Sequence, residues 1–340
     1  MNEVAHDDCG AVLERAGTPD GSWRRTFGDV DEQAVSLDSL YPQHYQQLGQ
    51  GRFRGEMTRI DLDGVIVIRE RVNRRLMQTG TMRTPSIGWL IESEGRFRFN
   101  RQDLEPHTAI FYRRGSEFEI QAAPSDLIGV TLVPERLDDS AWIHALVCDD
   151  APSEGVRRVP CALFDRLQHA AYRALALLDP ADPVLRARSN GLRQELIDLM
   201  WTVATLPNAS GMRRPGRDRT FDRVVRAAQR ELSPDHPAPG VSIETLCRRI
   251  GVSRRNLFYA FDAVLGLSPH QYLQRLRLNS VRRAIKAQAH ADPSIGDLAS
   301  AGGFEHPSRF ATDYRRLFDE RPSDTLRRAR DRRRDPRGTV

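Results

Sequence analysis

Lysine is almost absent from this sequence: Lys286 is the single lysine among 51 basic residues, so nearly all of the positive charge is arginine. Cysteine is scarce too, and no two of the four cysteines share Cys-x-x-Cys spacing. They are Cys9, Cys148, Cys161 and Cys247. Such scattered cysteines favour isolated, reduced thiols over a disulfide framework or a zinc knuckle.

Long apolar segments and several well-known motifs are missing as well. No apolar run approaches the roughly 18 residues that span a bilayer, so we expect no partnership with a membrane. The first 20 residues carry Glu3, Asp7 and Asp8 and do not resemble a secretory signal, which predicts a cytoplasmic protein. Gly-x-Ser-x-Gly, Walker and Gly-x-Gly-x-x-Gly elements are absent, and we expect no enzyme, no cofactor and no metal site.

Charge is distributed unevenly along the chain. Residues 213–340 contain 27 Lys and Arg against 15 Asp and Glu, a net charge of +12, whereas residues 1–212 carry 24 against 31, a net charge of −7. Phosphates attract the first part and repel the second, a pattern typical of a nucleic-acid binder with a separate regulatory or assembly domain. The alternative is a basic surface that is merely solvated.

The acidic part divides into a lead-in, a strand-rich region and two helices. Residues 1–50 have few apolar repeats and many turn formers, and predict a loosely ordered lead-in. Seven short strands then follow up to Pro134 and predict an antiparallel barrel or sandwich. Apolar residues at helical spacing predict a helical pair over residues 161–178 and 183–206. We expect residues 51–206 to form one effector-binding and dimerisation domain.

A change in composition marks a boundary after this domain. Residues 207–219 contain Pro, Asn and Gly without periodicity and predict a linker. Residues 220–330 have helical periodicity throughout, and residues 331–340 end the chain as an arginine-rich tail that is either solvated or attracts phosphate without specificity. The sequence therefore predicts an α+β fold, with a β-barrel or sandwich and a helical pair followed by an all-α domain.

The all-α part contains an internal near-repeat. The spacing of apolar residues over 243–261 recurs over 295–314, and each copy has a glycine at its centre, Gly251 and Gly303. A glycine at the turn tolerates positive φ, and the apolar residue after it packs between two helices, so each copy predicts a helix-turn-helix motif. One such motif can be purely structural. Two copies joined by the long helix predicted over 268–287, in a basic region, point to DNA.

This near-repeat resembles the AraC/XylS family of bacterial transcription regulators. The resemblance covers roughly residues 220–330, and its most specific part runs from Ala301 to Arg328, with a Gly-Phe turn, an aromatic-spaced helix and a closing Pro-Ser. One departure is Asp319-Glu-Arg321, where the family usually has a glycine before Pro-Ser. More weakly, residues 49–73 are similar to the sensor part of ethanolamine-operon-type regulators.

The resemblance implies two helices that enter successive major grooves on one face of double-stranded DNA, and RNA polymerase as a partner of an activator. The outward candidates on the first recognition helix are Arg254, Arg255, Asn256, Phe258 and Tyr259. Those on the second are His306, Pro307, Ser308, Arg309, Thr312 and Arg315. Arginine pairs with guanine and asparagine with adenine, whereas an aromatic ring can contact a thymine methyl, so Arg255 is the strongest candidate for base recognition. Arg309 and Arg315 fit phosphate contacts better.

Three functions fit the strand-rich domain: a small-molecule sensor, a dimerisation domain without a ligand, or a cupin-like enzyme fused to a DNA-binding module. A metal cupin needs clustered ligands, yet His44 and His107 stand alone in this region. For a sensor, the candidate effector residues are Arg69, Arg71, Asn73, Trp89 and Tyr112. Arginine inside a barrel needs a partner, either an anionic effector or an acid such as Glu92, Glu117 or Glu119.

Assembly is predicted from the second helix of the pair. Its apolar stripe is a candidate seam for a homodimer and consists of Leu192, Leu196, Leu199, Met200 and Val203. The alternative is that this stripe covers the β-domain within one subunit. A dimer would present two double motifs to DNA and would favour two sites separated by whole helical turns.

Overall fold

The first half of the described chain is built from two packed antiparallel sheets. This computed structural model describes residues 21–137, 146, 151–178, 189–209, 217–232, 241–291 and 293–334. The strands are β1 (Trp23–Phe27), β2 (Gln43–Gln47), β3 (Gly55–Leu62), β4 (Val65–Val72), β5 (Leu76–Thr81), β6 (Ser86–Ser93), β7 (Phe97–Phe99), β8 (Gln102–Asp103), β9 (Thr108–Tyr112), β10 (Glu117–Ala122), β11 (Ser125–Leu132) and β12 (Gly155–Arg158). One sheet has the order β1-β3-β4-β11-β6-β9-β12, and the other has the order β2-β5-β10-β7-β8.

Local sequence explains the tightest hairpin of the larger sheet. Leu62 of β3 pairs with Val65 of β4, so only Asp63 and Gly64 form the loop. Both have positive φ, 49° and 91°. An Asp-Gly loop with two left-handed residues matches the twist of the flanking strands and fixes their register. The next four residues, 65–68, are β-branched and bury both faces of β4.

Helices cover both faces of the larger sheet. The pair α2 (Cys161–Leu175) and α3 (Ser189–Thr205) covers its outer face, and α1 (Val30–Val35), which lies between β1 and β2 in the chain, packs on the opposite face. Val65 and Val67 of β4 pack in the core under α2 and α3, whereas Ile66 and Ile68 pack on the other face, in a core shared with α1, β2 and β5. A second inter-sheet core contains Phe99, Tyr112 and Phe118 among others. The predicted α+β fold, with an antiparallel sandwich and a helical pair, is confirmed.

Two predictions for this half are wrong. Residues 21–50 are not a loose lead-in, because they contain β1, α1 and β2; residues 1–20 lie outside the described residues. β2 was not predicted because Gln43–Gln47 has no apolar alternation: Tyr45 is its single core residue among four polar ones, and the strand is held by pairing with β5. The predicted dimer seam on α3 is also wrong, because its stripe is buried in the subunit's own core, with Leu196, Met200 and Val203 fully buried.

The second half of the chain is helical. Its helices are α4 (Arg217–Glu231), α5 (Ile243–Ile250), α6 (Arg254–Leu265), α7 (Pro269–Ala287), α8 (Ile295–Ala301), α9 (Pro307–Phe318) and α10 (Pro322–Arg334). α7 starts with a capping box, in which Ser268 accepts from the Gln271 amide and the Gln271 side chain accepts from the Ser268 amide. Two cores meet on α7: its first half packs with α4, α5 and α6, and its second half packs with α8, α9 and α10.

The predicted linker and tail are only partly within the described residues. Ala209 donates its amide to the Val156 carbonyl at 2.8 Å, so the first linker residues stay attached to β12. Residues 210–216 lie outside the described residues, and α4 begins at Arg217, within the predicted linker. α10 extends through Arg334, so residues 331–334 are helical rather than tail, and residues 335–340 lie outside the described residues.

Candidate nucleic-acid interface

The first helix pair, α5 and α6, turns at Gly251. Gly251 ends α5 in the left-handed region with φ 68°, and the Ser253 hydroxyl caps α6 by accepting from the Asn256 amide at 3.2 Å. Leu257 and Phe261 are fully buried in the core shared with α4 and α7. This packing fixes the opposite face of α6 toward solvent, which is the arrangement that a groove-binding helix requires.

The exposed face of α6 carries the predicted residues of the first motif. Arg254, Arg255, Asn256 and Tyr259 are exposed, and Phe258 is half-buried. Two arginine-aromatic pairs lie on this helix, and the two members of each pair are one helical turn apart. The Arg254 guanidinium lies 5.5 Å from the Phe258 ring centre, and that of Arg255 lies 5.4 Å from the Tyr259 ring centre. The five residues are therefore adjacent on one helix, and four of them expose polar side chains to solvent.

The second helix pair, α8 and α9, has the same plan with different chemistry at its start. Gly303 has φ 82° at the turn, and His306 precedes α9 without a side-chain cap, followed by Pro307 at the first helical position. Phe310, Tyr314 and Phe318 are buried in the core, as their spacing predicts. The candidates His306, Pro307, Ser308, Arg309, Thr312 and Arg315 are all exposed.

The departure from the family pattern falls at the end of α9. Asp319 ends this helix with φ 56°, in the left-handed region that favours glycine. Its amide still donates to the Arg315 carbonyl at 2.8 Å, so the helix end keeps its hydrogen bond. The side chain that follows, Glu320, is buried and pairs with Arg282 of α7. The Asp-Glu pair therefore adds an internal carboxylate at this corner.

The five predicted effector residues do not form one site. Arg69 and Arg71 share Asp126 of β11, which accepts from them at 2.6 and 3.0 Å, so the acid that pairs them is none of those expected. The Asn73 side chain accepts from the Arg54 amide at 2.7 Å. Trp89 and Tyr112 are buried in different cores: Trp89 packs against Phe164 of α2, and Tyr112 packs between the sheets beside Phe99 and Phe118.

The prediction that Arg69 and Arg71 lie inside the barrel is wrong about which face of β4 lies between the sheets. Arg69 lies on the helix-covered side, 5.6 Å from the ring centre of Tyr172 in α2. The ionisable residue on the inter-sheet side is Glu70, which is buried and accepts from Tyr45 Oη and Gln33 Nε2 at 2.6 Å each. Burial raises the pKa of Glu70, and burial with the Glu70 charge raises the pKa of Tyr45.

A polar contact between the two halves of the chain was missed from the sequence altogether. Arg282 of α7 donates to Asp29 and Glu320 at 3.1 and 3.0 Å, and Lys286 donates to Asp29 at 2.8 Å and also to Asp31. We call these five residues the Asp29 cluster. Burial alone would raise the pKa of Asp29, but the charges of Arg282 and Lys286 outweigh it and hold that pKa well below its usual range.

Neighbouring contacts extend this interface along β2. Gln47 exchanges hydrogen bonds with Asn279 of α7, and its side chain also donates to the Leu317 carbonyl in α9 at 2.8 Å. The Gly51 amide donates to the same carbonyl at 3.0 Å. No sequence signal could reveal these pairs, because polar residues more than 200 positions apart carry no mutual periodicity.

The sheets and helices within residues 21–209 are called the β-domain, and the first helix pair meets it through different contacts. Leu48 and Met77 are buried in the core of α4, α5 and α6. Arg96 donates to the Ala263 carbonyl at 3.2 Å, and Arg75 donates to the Leu265 carbonyl at the end of α6. These contacts lie at the C-terminal end of α6, so the exposed face at its start remains open.

None of the helices in the described residues is long and apolar enough to cross a membrane. Within the same residues, no group of three or more His, Cys, Asp and Glu side chains is placed to hold a metal ion.

Comparison with known proteins locates the similarity in the second half. A family model described as a helix-turn-helix domain matches residues 246–328. The XylDLEGF operon transcriptional activator of Pseudomonas putida is 33% identical over 111 residues, which cover 33% of each chain. The transcriptional activator RhaS of Citrobacter koseri is 37% identical over 97 residues, or 28% of this chain and 34% of RhaS. The match thus spans about a third of the length of these relatives.

One further relative extends over both halves. A probable thc operon regulatory protein of Rhodococcus erythropolis is 24% identical over 333 residues, which cover 90% of this chain and 96% of that protein. All three relatives bear names of regulatory proteins or transcriptional activators.

Proposed function

Residues 246–328 are a helix-turn-helix domain of the AraC/XylS type, and from this premise we propose that the chain is a sequence-specific DNA-binding transcription regulator, acting as an activator and not as an enzyme. The observation that carries this proposal is the exposed start of α6, where Arg254, Arg255 and Asn256 stand on a helix whose other face is locked in the core. Arginine and asparagine there have the donors that guanine and adenine accept in the major groove.

We infer that both helix pairs bind DNA. α7 joins them and has 19 residues, which at about 1.5 Å per residue gives a connection of about 28 Å. Motifs that read one face of DNA in successive grooves lie about 34 Å apart, so a connection of this length suits the task. On α9 the exposed arginines Arg309 and Arg315 supply phosphate contacts.

The interface between the halves supports a controlling role for the β-domain. Its contacts reach both helix pairs: the Asp29 cluster and Gln47 hold α7 and α9, whereas Leu48, Met77 and Arg75 hold the first pair. A change in the β-domain that moves β2 or α1 would alter how the two recognition helices are presented relative to each other. Such control needs differential binding of an effector to two arrangements, so a small-molecule effector belongs to this proposal.

Further partners also belong to the proposal. As an activator on chromosomal DNA, the chain would work in the cytoplasm with RNA polymerase. A homodimer would read two sites, although its seam must lie elsewhere than on the buried stripe of α3. Sedimentation of the full chain at micromolar concentration, alone and with the selected DNA, tests this assembly.

The primary experiment is selection of duplexes from a random library with the full chain, followed by affinity measurements over a range of salt. We expect one enriched sequence, and an affinity for it that falls steeply with salt because arginines displace counterions from phosphates. As a control, Arg166→Ala removes an exposed arginine of α2, outside the helix pairs, and should leave the affinity for the enriched duplex unchanged. A folded chain that enriches no sequence would contradict the proposal.

A further inference from the structure

One aromatic side chain on the proposed DNA face is exposed and packs in none of the cores. Among the described residues, only Val35 and Tyr259 are large hydrophobic residues that remain more than half exposed, at 54% and 52%. Tyr259 lies in the second turn of α6 and belongs to none of the buried cores. Its neighbour Phe258, by contrast, packs against the core, and its ring centre lies 5.7 Å from that of His270 in an edge-on arrangement.

Tyr259 also organises the strongest candidate for base recognition. Arg255 Nη2 donates to Tyr259 Oη at 3.3 Å, while the guanidinium carbon lies 5.4 Å from the ring centre. A guanidinium has five N–H donors, so four remain for a base. A side chain that is already held loses less rotamer entropy when it binds, which raises the affinity of a flexible arginine for its target.

The separation within this pair lets the two side chains face neighbouring bases. Adjacent base pairs are about 3.4 Å apart along a DNA strand, and a sideways offset of about 4 Å added to that rise gives a separation of about 5.4 Å. A ring centred 5.4 Å from the guanidinium carbon can therefore lie beside the base pair next to the one that the guanidinium binds. In the major groove, thymine presents its C5 methyl group at this place, and an apolar ring edge is the natural contact for it.

We propose that Tyr259 is a specificity-determining residue that contacts the methyl group of a thymine next to the guanine bound by Arg255. The first helix pair then reads a two-base step of thymine and guanine through one preassembled pair of side chains. This inference rests on the proposed function, since it needs α6 in a major groove.

The test uses the full chain and the duplex that it enriches, with one chemical group of the DNA changed at a time. Deoxyuridine at the thymine removes only the methyl group, and 7-deazaguanine removes the N7 acceptor. Burial of one methyl-sized group corresponds to about a fourfold change in affinity, so deoxyuridine should weaken the parent chain about fourfold. Tyr259→Ala should bind thymine and deoxyuridine duplexes equally, and Tyr259→Phe should keep the preference because it keeps the ring.

Two controls separate this inference from its premise. Arg255→Ala should lose sensitivity to 7-deazaguanine, which identifies the guanine whose neighbour is examined. Thermal melting should be unchanged in the Tyr259 variants, because that side chain contributes to no core. An enriched sequence without thymine beside that guanine, or a Tyr259→Ala chain that still prefers thymine over deoxyuridine, overturns the inference and leaves the proposed function intact. A chain that enriches no sequence overturns both.

Discussion

The two helix pairs of the C-terminal half share a backbone plan but differ in what they expose and in how they are held. α6 begins with a serine cap and exposes Arg254, Arg255 and Asn256 in its first turn. α9 begins at Pro307 without a side-chain cap, and its first turn exposes Ser308 beside one long donor, Arg309. The first pair is held to the β-domain by two apolar side chains and by bonds to carbonyl groups. The second is held by bonds to the Leu317 carbonyl and, in addition, by the charges of the Asp29 cluster. A repeated fold therefore does not imply a repeated role.

The largest expected effect comes from the charges that hold the second pair. Asp29→Asn keeps the cap of α1, since asparagine caps helices well, but leaves the buried Arg282 with Glu320 alone. We expect a loss of about 3 kcal/mol in the free energy of unfolding, measured by denaturant titration. Hydrogen exchange should quicken in α7 and α9 more than in α6.

The exposed pair Arg173–Glu195 provides the control for Asp29. Glu195→Gln should cost less than about 1 kcal/mol. Because the folded pKa of Asp29 is lowered, its contribution is present above about pH 4 and is lost as the pH falls through the folded value. Asp29→Asn should remove this part of the acid sensitivity, and an unchanged acid profile would exclude Asp29 as its source.

Met77 tests the apolar attachment of the first helix pair to the β-domain. It is buried in the core of the first pair, near Tyr272 and Gln229. Met77→Ala should cost about 2 kcal/mol, because the removed side chain leaves a cavity there. Hydrogen exchange should quicken in α4 and α6 while α9 stays protected. The reverse pattern would show that the attachments of the two helix pairs to the β-domain are not independent.

Arg255→Ala tests the difference in DNA recognition. We expect a loss of about 1–3 kcal/mol in binding free energy on the enriched duplex and little change on random DNA, measured by fluorescence anisotropy at one salt concentration. Equal losses on both duplexes would instead identify Arg255 as a phosphate contact.

The smallest effects are expected on α9. Ser308→Ala and Thr312→Ala should each change the affinity for the enriched duplex by less than about 0.5 kcal/mol, since the Thr312 hydroxyl already donates to the Ser308 carbonyl at 3.0 Å. A loss on the enriched duplex comparable to that of Arg255→Ala would remove the asymmetry between the two pairs.

Local patterns predicted the C-terminal helices well and the packing of the β-domain less well. The serine cap of α7 and the buried aromatic series of α9 follow from positions three or four residues apart, which the sequence displays directly. Alternation in β4 correctly separated Arg69 from Glu70, but both faces of this strand are covered, so alternation could not tell which face lies between the sheets. The Asp29 cluster joins positions over 200 residues apart and depends on how the two halves meet.

The single lysine of the chain lies in the Asp29 cluster, and this gives the molecule a built-in chemical reporter. Lys286 is the one side-chain amine in the sequence, and its ammonium group is bound by Asp29 and Asp31. The amine nitrogen must attack an acylating reagent, and the two carboxylates that bind this nitrogen hinder that attack while the two halves stay in contact. The rate of acylation at Lys286, followed by mass spectrometry, would therefore report how often the two halves separate. The acylation rate of the chain's α-amino group serves as the internal standard for reagent reactivity.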